Sequence, residues 1–276
     1  MPSEAGGVHP PVPGGAHSPV PGGTHTPVPG GTHTPVPGGA RRRLVLKMSG
    51  EALASQASDE TIDGLVVERL AGEIASACED LDLELAIMVG GGNIWRGSTG
   101  AGQGIDRATS DTMGMLATVV NALALQDAIE RRGHPTRVLS ALHMAEVAEP
   151  YIRRRAIRHL QKGRVVIFAA GMGNPYFTTD TSAALRAAEI EAEMLLKGTH
   201  SGVDGVYSAD PKVDPGAERL DRLSFMDVVT RDLRIMDLTA VTFCKDNDLP
   251  VLVFDVMGEG NLRRALAGDQ IGTLIW

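Results

Sequence analysis

Two short glycine-containing segments carry cations and directly follow apolar runs of the sequence. The first is Lys47-Met48-Ser49-Gly50, and the second is Gly90-Gly91-Gly92-Asn93, with Arg96 shortly after it. Glycines let the backbone approach a ligand closely and leave amide groups free for anions. A lysine ammonium can sit on a polyphosphate, and the planar Arg96 guanidinium matches phosphate oxygens. The two segments together favour phosphate binding over ordinary tight turns.

A third segment, residues 171–181, reads Gly-Met-Gly-Asn-Pro-Tyr-Phe-Thr-Thr-Asp-Thr and precedes a helix-like stretch. Thr178 or Thr179 can cap that helix, whose N-terminal amides and dipole favour an anion. Tyr176 and Phe177 offer apolar walls to a nucleobase. An ordinary capped loop explains the threonines but not the remaining residues of the segment.

A fourth segment and the absence of several known motifs limit the kinds of reaction that the sequence could catalyse. Residues 203–211 contain an Asp-Gly turn, an Asp-Pro ending and Tyr207, whose flat ring suits an adenine. Neither GxxxxGK[ST] nor GxGxxG occurs in the sequence. Cys78 and Cys244 lie outside any CxxC or Cys/His cluster, so we expect two core residues in a reducing compartment and no metal site. Two segments suited to phosphate, one segment suited to a base and the lack of a metal-ligand cluster in the sequence suggest phosphoryl transfer between two anions.

Short apolar runs alternate with longer amphipathic stretches, which predicts an α/β fold. The predicted strands are Arg43–Met48, Glu84–Val89, Thr136–Ser140, Arg164–Ala170, Met194–Leu196, Val251–Val256 and Thr273–Ile275. The predicted helices are about Ile62–Leu81, Asp111–Arg132, Pro150–Gln161, Asp180–Ala192, Ser224–Arg231 and Leu238–Asp248. This alternation indicates a parallel or mixed sheet covered by helices on both sides. Ligands of such sheets bind at the carboxyl ends of the strands.

The composition excludes several classes of protein. The chain has 276 residues, of which 43% are hydrophobic, and a formal net charge of −8. This apolar share supports a sizeable core. A pI near 5.5 argues against a surface built to hold nucleic acid. We find no apolar run of the roughly 20 residues that a transmembrane helix needs, so we expect no membrane span.

Residues 1–40 differ in composition from the rest of the chain. They hold 10 of the 16 prolines, 10 of the 33 glycines and four of the eight histidines, in a repeat with a period of eight residues. Such a segment lacks the apolar bulk for a packed core, so we predict a disordered, dispensable leader before a folded domain of residues 41–276. Metal binding by the regularly spaced histidines is the alternative, which the entropy of closing long loops disfavours.

From Arg41 onward the sequence resembles the bacterial UMP kinases of the amino acid kinase superfamily. The motifs that carry this resemblance are Leu46–Leu53, Gly90–Asn93, Ser110–Thr118, Gly173–Asp180, Val203–Tyr207, Ala209–Pro211 and Met236–Ala240. The stretch Gly-Asn-Pro-Tyr-Phe-Thr-Thr-Asp at Gly173–Asp180 is the one that separates UMP kinases from the related amino-acid and carbamate kinases.

The resemblance implies a role for particular residues. The ATP side would comprise Lys47, Met48, Ser49, Gly50, Gly92, Arg96, Tyr207 and Asp210. The UMP side would comprise Gly91, Asp111, Met172, Gly173, Asn174, Pro175, Tyr176, Phe177, Thr178 and Thr179. The catalytic residues would be Lys47, Asp180 and Asp237, with Asp237 orienting the lysine. Thr199 and Ser201 are both candidates for a further ATP-side hydroxyl, because the stretch around them is about two residues longer than is common in the family.

The resemblance also implies an activity, a fold and partners. The activity is ATP-dependent phosphorylation of UMP to UDP in pyrimidine nucleotide biosynthesis, with Mg²⁺ bound together with ATP and no metal site formed by the protein alone. The fold is a three-layer sandwich with a mostly parallel sheet between helices. The protein would be a cytoplasmic homohexamer that binds neither nucleic acid nor membranes. GTP and UTP would be its effectors, with Arg137, Arg153 and Arg164 as effector-site cations.

Two other functions are compatible with parts of the sequence. One is a kinase of the same fold that phosphorylates a carboxylate or carbamate. The other is a nucleotide-binding storage or sensor protein without turnover. Lys47, Asp180 and the complete segment of residues 171–181 disfavour both.

Deleting residues 1–40 is expected to leave the melting temperature within about 2 °C of that of the full chain, because a Pro/Gly repeat buries almost no apolar surface. Differential scanning calorimetry of the full and shortened chains measures this. A clearly lower melting temperature of the shortened chain would show that the leader stabilises the domain.

Overall fold

The computed structural model describes residues 41–55, 60–200, 202–211, 213–214 and 216–276. The predicted leader lies outside these residues. The strands are β1 (Arg42–Met48), β2 (Leu83–Val89), β3 (Thr136–Ser140), β4 (Glu149–Pro150), β5 (Val165–Ala169), β6 (Met194–Thr199), β7 (Val206–Tyr207), β8 (Arg219–Leu220), β9 (Arg222–Leu223), β10 (Val251–Asp255) and β11 (Thr273–Ile275). The helices are α1 (Gly64–Asp80), α2 (Gly97–Gly102), α3 (Arg107–Arg131), α4 (Arg153–Gln161), α5 (Thr179–Glu189), α6 (Phe225–Thr230), α7 (Leu238–Asp246) and α8 (Asn261–Ala267), and a 3₁₀ helix spans Gly50–Leu53.

One nine-stranded sheet organises the domain. Its strand order is β4-β3-β5-β2-β1-β6-β10-β11-β9, and only the β10–β11 pairing is antiparallel. Strands β7 and β8 form a separate antiparallel hairpin. Strand β1 lies in the middle with parallel neighbours on both sides, β2 and β6. The carboxyl ends of these three strands therefore meet at one edge of the sheet.

Two hydrophobic cores cover the two faces of the sheet. One contains Leu44 and Leu46 of β1 together with apolar residues of α1, α3 and α8. The other contains Val45 of β1 together with residues of α4, α5, α6 and α7. Successive side chains of a strand point to opposite faces, so both faces of β1 are buried under helices. This arrangement confirms the predicted three layers and the mostly parallel sheet.

The predicted elements agree with the observed ones except in some of their bounds and in elements that were not predicted. All seven predicted strands are present, but β6 continues past Leu196 to Thr199. Helices α2 and α8 were not predicted. Helix α3 begins at Arg107 and not at Asp111, because the Asp106 side chain caps it by accepting a hydrogen bond from the Thr109 amide at 3.1 Å. Asp111 therefore lies in the second turn of the helix.

Helix α3 corrects the expectation that the chain has no apolar segment of membrane length. Among the described residues it is long and apolar enough, by length and composition, to cross a membrane. Its residues Ala122, Leu125 and Ile129 are buried in the core on the sheet. The buried helix of a globular core passes the same test of length and composition.

Both cysteines are free and buried, and burial raises the pKa of each thiol to about 12. Because the thiolate is the reactive form, we expect neither to react with an aromatic disulfide reagent at pH 8 in the native protein. Both should react once guanidinium chloride unfolds the chain, which is the control for reagent access. Rapid labelling of one thiol in the native protein would contradict the buried positions of Cys78 and Cys244.

Candidate active site

Two buried lysines lie side by side on the central strands. Lys47 of β1 and Lys197 of β6 are direct partners in the parallel register. Each follows a core residue by two positions, Val45 and Leu195 respectively, and so points to the face covered by α5. The sheet thus places two ammonium groups next to each other at its carboxyl edge.

Asp180 of helix α5 joins the two ammonium groups. Its Oδ1 lies 2.6 Å from Lys47 Nζ, and its Oδ2 accepts a hydrogen bond from Lys197 Nζ at 2.5 Å. All three side chains are largely buried. One carboxylate between two ammonium groups leaves a net charge of +1 in a site with little water, which suits an anionic ligand.

The protonation equilibria of these three groups are strongly shifted. Burial raises the pKa of Asp180, but the two lysines outweigh it and hold that pKa at about 2. Burial and the Lys47 ammonium lower the pKa of Lys197 to about 8. Burial also acts to lower the pKa of Lys47, yet its attraction to Asp180 is stronger in sum, and the net shift is upward. Lys47 therefore keeps its charge to higher pH than Lys197.

The N-terminus of α5 is fixed by a second carboxylate, Asp237. Thr178 caps α5 and donates a hydrogen bond to Asp237, and Thr181 Oγ1 donates another to Asp237 Oδ1 at 2.7 Å. Asp237 also caps α7 by accepting from the Ala240 amide at 3.0 Å. Among the described contacts, the carboxylate on Lys47 is that of Asp180, and Asp237 fixes the N-terminus of the helix that carries Asp180. An orienting effect of Asp237 on the lysine stays a prediction.

The two segments that favour phosphate binding, residues 47–50 and 90–93, are packed directly on each other. A Cβ at Gly50 would lie 2.8 Å from the Gly90 carbonyl oxygen, so only glycine permits this approach. The buried Asn121 donates to the Gly90 carbonyl at 2.7 Å and to Asn93 Oδ1 at 2.7 Å. Asn121 thereby fixes the glycine segment after β2 to α3, while the contact of Gly90 with Gly50 packs the same segment on the 3₁₀ helix after β1.

Glu51 lies among the groups expected on the ATP side. Its carboxylate accepts hydrogen bonds from Ser49 and Arg96 and lies 3.8 Å from His200 Nε2. Burial raises its pKa, but the Ser49 hydroxyl, Arg96 and His200 outweigh it and the net shift is downward. The negatively charged Glu51 carboxylate therefore holds the Arg96 guanidinium beside the segment of residues 47–50.

A cleft of about 140 Å³ opens between α3 and the N-terminus of α5. Many of its lining residues belong to the predicted UMP side. They are Gly91, Asp111, Met172, Asn174, Phe177, Thr178 and Thr179, joined by Trp95, Gly97, Gly114, Met115, Thr118, Gly171 and Ser182. Gly173, Pro175 and Tyr176 lie in the same segment without lining the cleft. We call this cavity the acceptor cleft.

A second cleft of about 530 Å³ lies near the N-terminus of α5. Asp180 and Asp237 contribute to its wall, together with apolar residues of 228–241. The hydrogen bonds from Thr178 and Thr181 to Asp237 thus lie between the two clefts.

The remaining predicted site residues lie in other surroundings. Tyr207 is in the β7–β8 hairpin and donates a hydrogen bond to Asp204 at 2.7 Å, and Asp210 follows in the same hairpin. Thr199 donates to the Val203 carbonyl at 2.5 Å, which ties down the start of that segment. Ser201 lies outside the described residues.

The three proposed effector-site arginines each have a partner. Arg137 pairs with Glu130 at 3.0 Å, Arg153 pairs with Glu191 at 2.6 Å, and the Arg164 guanidinium lies 3.1 Å from His159 Nδ1.

Lys197 and Asn121 were not predicted as site residues. Lys197 had a detectable signal, since it directly follows the predicted strand Met194–Leu196 just as Lys47 lies near the end of the first strand. Asn121 had none, because a single asparagine in a long apolar helix does not reveal which carbonyl it contacts.

Comparisons with known proteins agree with this geometry. The model of the amino acid kinase family matches residues 42–255. The crystal structure of UMP kinase from Ureaplasma parvum is 36% identical, with a TM-score of 0.80, and the match covers 86% of this chain and 99% of that one. UMP kinase from Bacillus anthracis is 38% identical, with a TM-score of 0.81 and coverage of 85% and 95%. Uridylate kinase from Archaeoglobus fulgidus is 29% identical, with a TM-score of 0.64 and coverage of 84% and 99%.

The lowered pKa of Lys197 can be measured directly, because the chain has only five lysines. With lysine labelled with ¹³C at Cε, we expect one NMR resonance to titrate with a midpoint near pH 8 and to lose its charge as the pH rises through that value. Lys197→Ala should remove this resonance, whereas Lys245→Ala, a change at an exposed lysine, should leave it in place. Titration of all five lysines above pH 10 would contradict the buried lysine pair.

Proposed function

Because this chain belongs to the amino acid kinase family, we propose that it transfers the γ-phosphoryl group of ATP to UMP, giving ADP and UDP. The observation that carries this proposal is the buried centre of Lys47, Asp180 and Lys197, which lies at the carboxyl edge of the sheet next to two clefts. Matches of more than 35% identity to two UMP kinases over most of the chain support the choice of UMP.

The centre supplies positioning and charge stabilisation. In phosphoryl transfer, charge spreads over the oxygens of the transferred group, and most of the catalysis comes from holding the reactants in line and neutralising that charge. Lys47 and Lys197 would face this group with their ammonium protons, while Asp180 holds both in place. A UMP phosphate oxygen attacks the γ-phosphorus and the bond to the ADP oxygen breaks. That phosphate is already ionised, so the reaction needs no general base.

The acceptor cleft would hold UMP. Phe177 and Met172 supply apolar walls for the base, and Asp111 supplies an acceptor for a ribose hydroxyl. Thr178 and Thr179 are at the N-terminus of α5, where the helix dipole favours a phosphate. With these contacts, the phosphate end of UMP would lie toward Asp180 and the lysines.

ATP would approach from the other side of the centre. Met48, Ser49, Gly50 and Gly92 offer backbone amides to its phosphates, and Arg96, held by Glu51, adds a cation. The nucleoside would lie toward the second cleft and the hairpin that carries Tyr207 and Asp210.

Mg²⁺ would arrive bound to ATP. No group of three or more His, Cys, Asp or Glu side chains suited to a metal occurs among the described residues, and Mg²⁺ typically binds through substrate phosphates and waters with few protein ligands. When bound, the ion neutralises part of the triphosphate charge.

We further propose a cytoplasmic homohexamer that acts in pyrimidine nucleotide biosynthesis and responds to GTP and UTP. Helix α3 supports self-association, since Leu116 and Val120 are 48% and 49% exposed on one side of it. Arg137, Arg153 and Arg164 remain the proposed effector cations. Their present partners are protein side chains, which an anionic effector would have to displace.

A coupled assay of ADP release tests the function with four acceptors: UMP, CMP, aspartate and carbamate. We expect turnover with UMP at least tenfold above that with any other acceptor. Preference for aspartate or carbamate would assign a carboxylate or carbamate kinase, and nucleotide binding without turnover would assign a sensor or storage protein. Either result would overturn the proposal.

Within this assay, Lys47→Ala is expected to lower kcat by about a hundredfold or more, because it removes a preorganised charge from the transferred group. Lys245→Ala, a change at an exposed lysine paired with Asp246, is the matched control and should leave kcat unchanged.

A further inference from the structure

We propose that Arg107 is a positioning residue for the acceptor nucleotide, acting through Asp111 and the backbone of Tyr176. The inference rests on the proposed function, since it concerns how the acceptor cleft holds UMP. Arg107 does not line the acceptor cleft, and no motif of the sequence points to it.

Arg107 holds the carboxylate that borders the cleft. Its Nε lies 2.9 Å from both Oδ1 and Oδ2 of Asp111. Asp111 in turn accepts a hydrogen bond from the Tyr176 amide at 2.8 Å. The Arg107 guanidinium also lies 5.6 Å from the centre of the Tyr176 ring, within the range of a cation–π contact. Arg107 therefore contacts both residues that join α3 to the segment of residues 171–178.

The joined segment is strained at the point of contact. Tyr176 has a φ of +72°, a left-handed conformation that non-glycine residues seldom adopt. Its side chain is 67% exposed, so packing of the ring does not compensate for this conformation. The hydrogen bond to Asp111 and the Arg107 guanidinium over the ring are the contacts that hold Tyr176 in place.

Helix stability does not explain the position of Arg107. It is the first residue of α3, where the helix dipole disfavours a cation. In this pair the cation lies four residues before the acid, an order that stabilises a helix less than the reverse order does. In the pair of Asp127 and Arg131 the acid precedes the cation, and the cation lies at the C-terminus of α3, where the helix dipole favours it. A cation placed where it lowers helix stability, yet on the carboxylate of a ligand cleft, indicates a role in ligand binding.

Charge gives Arg107 a second effect on UMP. The Asp111 side chain is only 14% exposed and borders a cleft that must admit a phosphate dianion. Arg107 balances the Asp111 charge, which lowers the repulsion between that carboxylate and the incoming nucleotide. It also fixes the carboxylate so that its remaining lone pairs are presented to the ligand in one orientation.

The test compares Arg107→Ala with Arg131→Ala, because both arginines are half exposed and pair with an acid four residues away on the same helix. Calorimetric titration with UMP, steady-state kinetics in both nucleotides and the melting temperature are measured for each. For Arg107→Ala we expect the Kd and KM for UMP to rise about tenfold, with kcat and the KM for ATP within twofold and no fall in melting temperature. For Arg131→Ala we expect unchanged UMP binding and a lower melting temperature.

A further variant separates the charge of Arg107 from its geometry. Arg107→Lys keeps the charge but loses the guanidinium plane, so its Kd should lie between those of the wild type and Arg107→Ala. A UMP affinity of Arg107→Ala within twofold of the wild type, or a parallel loss of ATP affinity and stability, overturns the inference alone. A wild-type protein that neither binds nor phosphorylates UMP overturns the proposed function as well.

Discussion

The site depends on one electrostatic constraint: two like charges are buried opposite each other on neighbouring strands. Lys47 and Lys197 are register partners in β1 and β6, and like charges in that relation destabilise a sheet. Burying them adds the loss of hydration. The Asp180 carboxylate lies within 2.6 Å of both ammonium groups and offsets their repulsion and their lost hydration. The site nevertheless keeps an excess positive charge, and an anionic substrate would supply the rest of the compensation.

The position of helix α5 follows from this constraint. Asp180 reaches the lysines only if the N-terminus of α5 lies over the carboxyl ends of β1 and β6. Asp237 holds it there through Thr178 and Thr181. The segment of residues 171–178 leads directly into this helix, so its position beside the lysines is set by the same contacts. The acceptor cleft is thus a consequence of how the charges are balanced.

Close backbone packing brings the segments of residues 47–50 and 90–93 together. Gly50 and Gly90 are in contact because neither has a side chain, and Asn121 of α3 bonds to the Gly90 carbonyl. Helix α3 therefore contributes to both sides of the site, with Asn121 on the glycine segment after β2 and Asp111 on the acceptor cleft. A single helix that contacts both would keep the two substrates at a fixed separation.

The sequence by itself determined the seven main strands, six helices and the loops that carry the chemistry, because apolar periodicity, glycines and helix caps are local signals. It did not reveal that Lys197 faces Lys47, since strand register is a relation between residues 150 positions apart. It also did not reveal that Asp180 lies between the two lysines while Asp237 contacts Thr178 and Thr181, because several carboxylates follow strands or begin helices and only packing selects which one meets the lysine. Those pairings were decided by the tertiary structure, because they depend on contacts between residues that are far apart in the sequence.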